Sequence, residues 1–185
     1  MTDLAIYPQV TRMGLSVQTP DPFAPLRQHL PERISTRVDF LRNLRKIEYF
    51  SQVFGKINLR CYQIEAANAI VDSVLKQQGL SIVVMFPRQS GKNMLQAQLE
   101  VYLMALLGSS SAEMVKLSPT YQPQSLNAMR RLETALQANC LTHNQWHKSA
   151  GNHYRFKNAH LTFLSAAPGS NTVGATASTL LQLDE

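Results

Sequence analysis

Hydrophobic and polar residues follow two patterns along the chain, one with the spacing of helices and one with that of strands. In three stretches the apolar residues fall on one side of a helix, and a fourth stretch bounded by proline also reads as a helix. Other stretches read as strands, among them "SIVVMF", a continuous apolar run with β-branched residues. The predicted helices span residues 37–50, 61–76, 92–107 and 124–136, and the predicted strands span residues 81–86, 113–118, 153–165 (two strands around a turn at Asn158-Ala159) and 179–185. Helices that alternate with strands predict an α/β fold with a mainly parallel sheet and helices on both of its faces.

The first third of the chain differs in composition from the rest. Five prolines within residues 1–35 exclude a long helix there and predict an irregular arm. The helix predicted over residues 37–50 has one basic face, made of Arg37, Arg42, Arg45 and Lys46. We interpret this face as solvated surface, with a nucleic-acid contact as the alternative. The chain is therefore divided into an N-terminal extension, residues 1–57, and an α/β domain, residues 58–185.

Composition narrows the class of protein. Apolar residues make up 44% of the 185 residues, which is enough for a buried core, and no apolar run approaches the length of a membrane span. A formal net charge of +6 suits a polyanionic partner. Because the chain lacks a signal-peptide pattern and has only two cysteines, Cys61 and Cys140, the cytoplasm is the expected compartment.

The segment "FPRQSGKN", residues 86–93, has the context of a phosphate-binding loop. It follows the apolar run "SIVVMF", which predicts a buried parallel strand, and it precedes a predicted helix. In such a loop the backbone N–H groups at a helix start bind the anion, while Gly91 allows close approach and Lys92 adds positive charge. Asn93 stands where Ser or Thr would bind Mg²⁺, and its amide oxygen is a poorer ligand. A lysine at an ordinary helix start is the alternative interpretation.

Two other segments carry the complementary chemistry. "LLQLDE", residues 180–185, is an apolar strand that ends in Asp184 and Glu185, which suit a Mg²⁺ ligand and an acceptor for the proton of an attacking water. "LRCYQ", residues 59–63, contains Gln63, which has the donor and acceptor for an adenine edge, and Tyr62, which is suited to pack beside it. Each segment alone is also explained as ordinary surface at the end of a strand or the start of a helix.

A zinc site is a competing interpretation of another cluster. Cys140, His143 and His147 form a C-x-x-H-x-x-x-H pattern, and His153 is close in sequence. The same stretch also reads as an ordinary helix end followed by a surface connection, which is the interpretation we favour.

Taken together, these segments resemble the ATPase domain of phage terminase large subunits, the motors that package viral DNA. "PRQSGKN" resembles the terminase form of the phosphate loop, which has Arg-Gln before Gly-Lys. "LSPTYQPQ" (117–124), "YRFKNAHLTFLSA" (154–166) and "GSNTVGATASTLLQLDE" (169–185) resemble the segments that follow in the family, in the same order. The resemblance implies a P-loop NTPase fold for residues 58–185, incomplete at its C-terminus because the chain ends at the acidic strand.

The resemblance also implies a role for each site residue. By this resemblance, Gln63 and Tyr62 contact adenine, and Asp184 binds Mg²⁺ together with Asn93. Glu185 becomes the catalytic acid that polarises the water, and Arg88 becomes a candidate arginine finger, with a loop-steadying salt bridge as its alternative. The phosphates of ATP are bound by the loop residues Gln89, Ser90, Gly91, Lys92 and Asn93.

The implied function is ATP hydrolysis coupled to translocation of double-stranded DNA, in the cytoplasm of a host cell. By the same resemblance, the expected partners are a homo-oligomeric ring of this chain, a portal and a small terminase subunit. The first alternative is a helicase-like or restriction-type DNA translocase, which shares the Gln, Gly-Lys and Asp-Glu elements. The second is a degenerate nucleotide-binding module that acts in assembly without hydrolysis.

Overall fold

The computed structural model describes residues 37–170 and 174–184, and within these ranges it contains five α-helices and five β-strands. The helices are Arg37–Leu44 (α1), Ile47–Val53 (α2), Cys61–Leu75 (α3), Lys92–Leu107 (α4) and Leu126–Ala138 (α5). The strands are Ala112–Ser118 (β1), Trp146–Ser149 (β2), His153–Phe156 (β3), Ala159–Ser165 (β4) and Leu180–Leu183 (β5).

The strands form one mixed sheet in the order β2-β3-β4-β1-β5. β1 is parallel to β4 and to β5, whereas β2, β3 and β4 pair in antiparallel fashion. The α/β prediction is confirmed, and the expectation of a mainly parallel sheet is corrected. The physical reason is the hairpin at residues 153–165, because a turn as short as Lys157–Asn158 can join only antiparallel neighbours. β2, which the sequence did not predict, then extends the antiparallel side.

The helices that contact the sheet pack on one of its faces. Lys116 of β1 contacts α4 and Tyr154 of β3 contacts α5, and the strand register places both side chains on the same face. On the opposite face, Leu181 and Leu183 are exposed. The expectation of helices on both faces is therefore not met within residues 37–170 and 174–184.

α4 is the central helix of this arrangement. It contacts α2, α3, α5 and the sheet. Because neighbours surround it, its buried residues do not keep to a single stripe, and several of them are polar. Aromatic packing of Phe50 against Tyr102, with ring centroids 5.1 Å apart, joins α2 to α4. The part of the N-terminal extension that forms α2 therefore contributes to the same core as α4.

The apolar run at residues 81–86 is not a strand, so this prediction is wrong. Val83 and Met85 are each 87% exposed, and residues 81–86 pair with no strand that the structure describes. An apolar run shows that a segment favours burial, but it does not determine strand pairing. β1 is flanked by β4 and β5, and the outer side of β5, which pairs with no described strand, does not receive residues 81–86.

The helix predicted over residues 37–50 is broken into α1 and α2. Lys46 is extended, with φ −99° and ψ 119°, so the helical hydrogen bonds stop there. The hydroxyl of Tyr102 donates a 2.6 Å hydrogen bond to the carbonyl of Arg45, which satisfies an acceptor at the break. Burial raises the pKa of Tyr102 to about 12, so this donor keeps its proton at physiological pH. Tertiary contacts at Arg45 thus override the local helical pattern.

Two sequence predictions lie outside the described residues: the irregular arm at residues 1–35 and the catalytic role of Glu185. Among the helices described, none has the length and apolar character that a membrane span requires.

Glu133 of α5 links this helix to the antiparallel strands β2 and β3. Its carboxylate accepts a 2.6 Å hydrogen bond from the hydroxyl of Tyr154 and pairs with Lys148 at 2.8 Å. Burial alone would raise the pKa of Glu133. The hydrogen bonds from Lys148 and Tyr154 and nearby positive charge outweigh burial, and they hold that pKa below its ordinary value of 4.5.

The substitution Glu133→Gln is expected to lower the free energy of unfolding by roughly 1 kcal/mol at pH 7, because it removes a partly screened ion pair and a charge-assisted hydrogen bond. A carboxyl with a depressed pKa stabilises the fold above its unfolded pKa, and that stability is lost as pH falls through the folded pKa. The difference between the variant and the wild type should therefore shrink below pH 4.5. Urea unfolding at several pH values measures it, with the exposed Glu65→Gln as control. A difference in unfolding free energy between the wild type and Glu133→Gln that does not change with pH would contradict the lowered pKa of Glu133.

Candidate phosphate-binding site

The parallel strands and α4 bring the two principal site residues together. β1, β4 and β5 run in the same direction, so their carboxyl ends lie at one edge of the sheet. Asp184 directly follows β5, and its N–H donates to the carbonyl of Leu117 at 2.9 Å. Lys92 is the first residue of α4, and its Nζ lies 2.9 Å from Oδ1 of Asp184. The lysine of the loop and the acid after the strand therefore meet at this edge.

The loop before α4 has a compact, left-handed backbone. Gln89 has φ 59° and Gly91 has φ 82°, and the N–H of Ser90 bonds to the carbonyl of Pro87 at 3.3 Å. A Cβ on Gly91 would lie 2.8 Å from Nε2 of Gln63. Glycine is thus required at position 91 both by its φ and by the space beside it. Gly91 also has no side chain to cap α4, so it leaves the first N–H groups of the helix open to an anion.

The start of α3 braces the loop. The hydroxyl of Tyr62 donates to the carbonyl of Ser90 at 2.8 Å, and Nε2 of Gln63 donates to the same carbonyl at 3.0 Å. The ring of Tyr62 also packs edge-on against Phe86, with centroids 5.4 Å apart. Two residues that the sequence assigned to adenine therefore contact the loop itself, and their adenine contacts stay a prediction.

The remaining predicted site residues differ in exposure. Arg88 and Gln89 are exposed, Ser90 is buried, and Asn93 is half-buried in the first turn of α4. Arg88 and Gln89 also line an open groove of about 870 Å³ between α3 and residues 82–90, to which Tyr62 and Phe86 contribute aromatic rings. This open groove is partly apolar and lies directly beside the loop.

A stripe of polar side chains runs from the loop into the core along α4. Lys92, Gln96 and Glu100 are spaced by four residues and so lie on one side of the helix. Nε2 of Gln96 donates to Oδ1 of Asp184 at 3.3 Å, and its Oε1 accepts from Nζ of Lys116 at 3.3 Å. Lys116 also pairs with Glu100 at 2.8 Å, and these two side chains are only 2% and 1% exposed.

Sequence reasoning missed Gln96, Glu100 and Lys116. Two signals pointed to them: polar residues spaced by four along a helix, and a lysine in the middle of a predicted strand. A buried lysine needs a carboxylate partner, so the second signal predicts an acid on the element that packs against β1.

Electrostatics in this stripe depend on burial and on the two lysines. Burial alone would raise the pKa of Asp184. Hydrogen bonds from Lys92 and Gln96, together with the charges of Lys116 and Lys92, outweigh burial and lower that pKa, so the carboxylate stays ionised at neutral pH. For Glu100, burial is the larger effect and raises the pKa in spite of Lys116. The ionised form of Asp184 is thus favoured at the carboxyl ends of the strands, whereas the ionised form of Glu100 is disfavoured in the core.

The donors at this edge are of the type that Mg²⁺ takes, although the carboxylate of Asp184 pairs with Lys92 in this structure. Mg²⁺ is usually held by one or two carboxylates, together with water and substrate phosphates, so the single carboxylate of Asp184 is a suitable anchor. Ser118, the last residue of β1, lies beside it and has a buried hydroxyl that no described residue bonds. When bound, Mg²⁺ would offset negative charge on the phosphates.

The zinc interpretation is not supported by the described residues. Within residues 37–170 and 174–184, no three His, Cys, Asp or Glu side chains are grouped so as to hold a metal. Cys140 and His143 lie in a turn, His147 is on the exposed strand β2, and Nε2 of His153 lies 3.0 Å from Nδ1 of His160.

Comparison with known proteins adds no family to this geometry. The chain matches no family model, no curated protein and no solved structure. The site is therefore interpreted from its own contacts.

The buried pair gives a prediction about stability. Lys116→Met alone leaves Glu100 buried without its cation, which is expected to lower the free energy of unfolding by about 3 kcal/mol. The double variant Lys116→Met with Glu100→Leu removes both charges and should recover most of that loss, because an apolar pair of similar volume replaces the ion pair. Urea unfolding of the two single variants and the double variant measures the coupling. Additive losses in the double variant would show that the pair is not energetically coupled.

Proposed function

We propose that this chain is an ATP-binding and ATP-hydrolysing, DNA-translocating motor subunit of a viral genome-packaging terminase, or the N-terminal part of one. The observation that carries the proposal is the 2.9 Å ion pair between Lys92 and Asp184. It supports the proposal because phosphate binding and metal binding need these two residue types at the same edge of a sheet. The family resemblance supplies the roles of the other residues.

Phosphate binding requires Lys92 to change partner. In the structure its ammonium group is held by Asp184, and the side chain is 37% exposed. A polyphosphate at the start of α4 would present more negative charge to Lys92 than one carboxylate does. Lys92 would then bind the outer phosphates, and Asp184 would become free to bind Mg²⁺. Asp184 would keep its bond to Gln96 and the nearby charge of Lys116.

The resemblance assigns roles in hydrolysis to Glu185, Arg88 and Asn93. Glu185, the neighbour of Asp184, would accept a proton from the attacking water. Arg88 is exposed on the loop, where it could place charge on the γ-phosphate in the transition state. Asn93 would contribute an amide oxygen near the metal instead of the usual hydroxyl, so we expect slow turnover.

We propose that the motor translocates double-stranded DNA. The net charge of +6 and the exposed Arg42, Arg45 and Lys46 near the start of the described chain suit contacts with phosphates. A ring of identical subunits, a portal and a small terminase subunit belong to the proposal by resemblance. Binding to double-stranded DNA should weaken steeply as salt concentration rises.

A nucleotide-binding assembly module without hydrolysis is the second candidate. Two observations favour it: Asn93 in place of Ser or Thr, and a segment at residues 81–86 that approaches the loop without pairing in the sheet. Release of phosphate from ATP, measured with and without double-stranded DNA, separates the candidates. DNA-stimulated release supports the motor, and binding without release supports the module.

Titration of ATP against Lys92→Ala and Asp184→Asn tests the site. Lys92→Ala should weaken ATP binding by about tenfold or more, with or without Mg²⁺, because it removes the cation that binds the phosphates. Asp184→Asn should abolish the gain in affinity that Mg²⁺ gives. Without Mg²⁺, however, it should bind ATP at least as tightly as the wild type, because Lys92 no longer has a competing carboxylate. Isothermal titration calorimetry measures these affinities.

Lys76→Ala is the matched control, since Lys76 is an exposed lysine at the far end of α3 that pairs with Asp72. It should bind ATP as the wild type does. Equal ATP affinities for the wild type and Lys92→Ala would remove the nucleotide site and the proposed function with it.

A further inference from the structure

Gln63 is the most fully engaged polar side chain next to the phosphate loop. It is 1% exposed, and both ends of its amide are in use. Oε1 accepts a 2.9 Å hydrogen bond from the N–H of Arg60, and Nε2 donates to the carbonyl of Ser90 at 3.0 Å and approaches that of Gly91 at 3.5 Å. The amide therefore joins the start of α3 to the two residues that precede Lys92.

The position of Gln63 depends on the shape of the loop. Gly91 is the residue whose missing Cβ leaves room for Nε2, since a Cβ there would lie only 2.8 Å away. The carbonyl of Ser90, which Gln63 and Tyr62 share, belongs to a left-handed turn that Gln89 begins. Two donors on this carbonyl fix the orientation of the Ser90–Gly91 peptide unit, and with it the N–H of Gly91 at the start of α4.

Contact with a base would require Gln63 to turn out of its buried position. Each end of the amide already bonds a backbone group, and its remaining N–H and lone pair belong to a side chain that is only 1% exposed. The groove beside the loop is lined by Tyr62, Phe86 and residues 82–90 among others, and Gln63 is not one of its lining residues. Rotation of Gln63 toward the groove would leave the N–H of Arg60 without this partner, at a cost in free energy.

We infer that Gln63 is a positioning residue for the phosphate loop and does not read the base. A base in the adjacent groove contacts the rings of Tyr62 and Phe86, which are surfaces that every base can pack against. The site consequently selects a polyphosphate and discriminates little between purine nucleotides. This inference rests on the phosphate site of the proposed function and changes the role that the family resemblance gives to Gln63.

Calorimetric titration with ATP, GTP and inorganic tripolyphosphate tests the inference, because tripolyphosphate has no base. The wild type should bind ATP and GTP with affinities within about threefold of each other. Gln63→Ala should weaken all three ligands by the same factor, about tenfold, because it acts on the loop that they share. An adenine contact would weaken ATP while leaving tripolyphosphate unchanged, and that result would overturn the inference.

Tyr62→Phe provides a milder second variant. It keeps the ring that packs on Phe86 and removes only the hydroxyl that donates to Ser90, so a smaller loss should again be equal for the three ligands. Gln52→Ala, at an exposed glutamine on α2, is the matched control and should change none of the affinities. Thermal unfolding of each variant checks the fold, and Tyr62→Phe decides the question if Gln63→Ala does not fold.

Lys92→Ala distinguishes failure of this inference from failure of the proposed function. If Lys92→Ala weakens all three ligands while Gln63→Ala and Tyr62→Phe weaken none, the inference is wrong and the phosphate site stands. If Lys92→Ala binds all three ligands as the wild type does, there is no phosphate site at the loop, and both are overturned.

Discussion

The ion pair between Lys92 and Asp184 is the contact on which the interpretation of this structure depends. It joins the first residue of the central helix α4 to the residue after the edge strand β5, which are distant in sequence. A side chain at a helix start and a carboxylate at the end of a parallel strand are both directed to the sheet edge where anions bind. The two charges neutralise each other, so a ligand of the proposed site would have to compete with this pair.

Behind this pair, polar side chains form a hydrogen-bonded chain that leads from Asp184 into the core. Lys116 donates a hydrogen bond to Gln96, and Gln96 donates one to Asp184. Lys116 also donates to Glu100 in the core. Burying an ion pair is costly, and well-packed apolar residues often stabilise a core as well. This buried pair is connected to Asp184 through Gln96, a link that apolar residues could not provide.

Periodicity predicted the hairpin at residues 153–165, where buried and less buried positions alternate. The bounds of α4 also followed from its leucine spacing, although its buried residues do not keep to a single stripe. The run at residues 81–86 misled, because an apolar run does not determine strand pairing: the outer side of β5 pairs with no described strand, yet the run does not pair there. Of the site, the sequence predicted Lys92 and Asp184 by chemical type, but the partners of Gln63 are backbone groups, the N–H of Arg60 and the carbonyls of Ser90 and Gly91, and only coordinates reveal them.

A crystal structure with Mg²⁺ and a non-hydrolysable ATP analogue tests the central claim most directly. We predict that Nζ of Lys92 leaves Asp184 and lies within hydrogen-bond distance of the outer phosphates, at the start of α4. A nucleotide bound elsewhere, with the 2.9 Å ion pair between Lys92 and Asp184 intact, would contradict the claim.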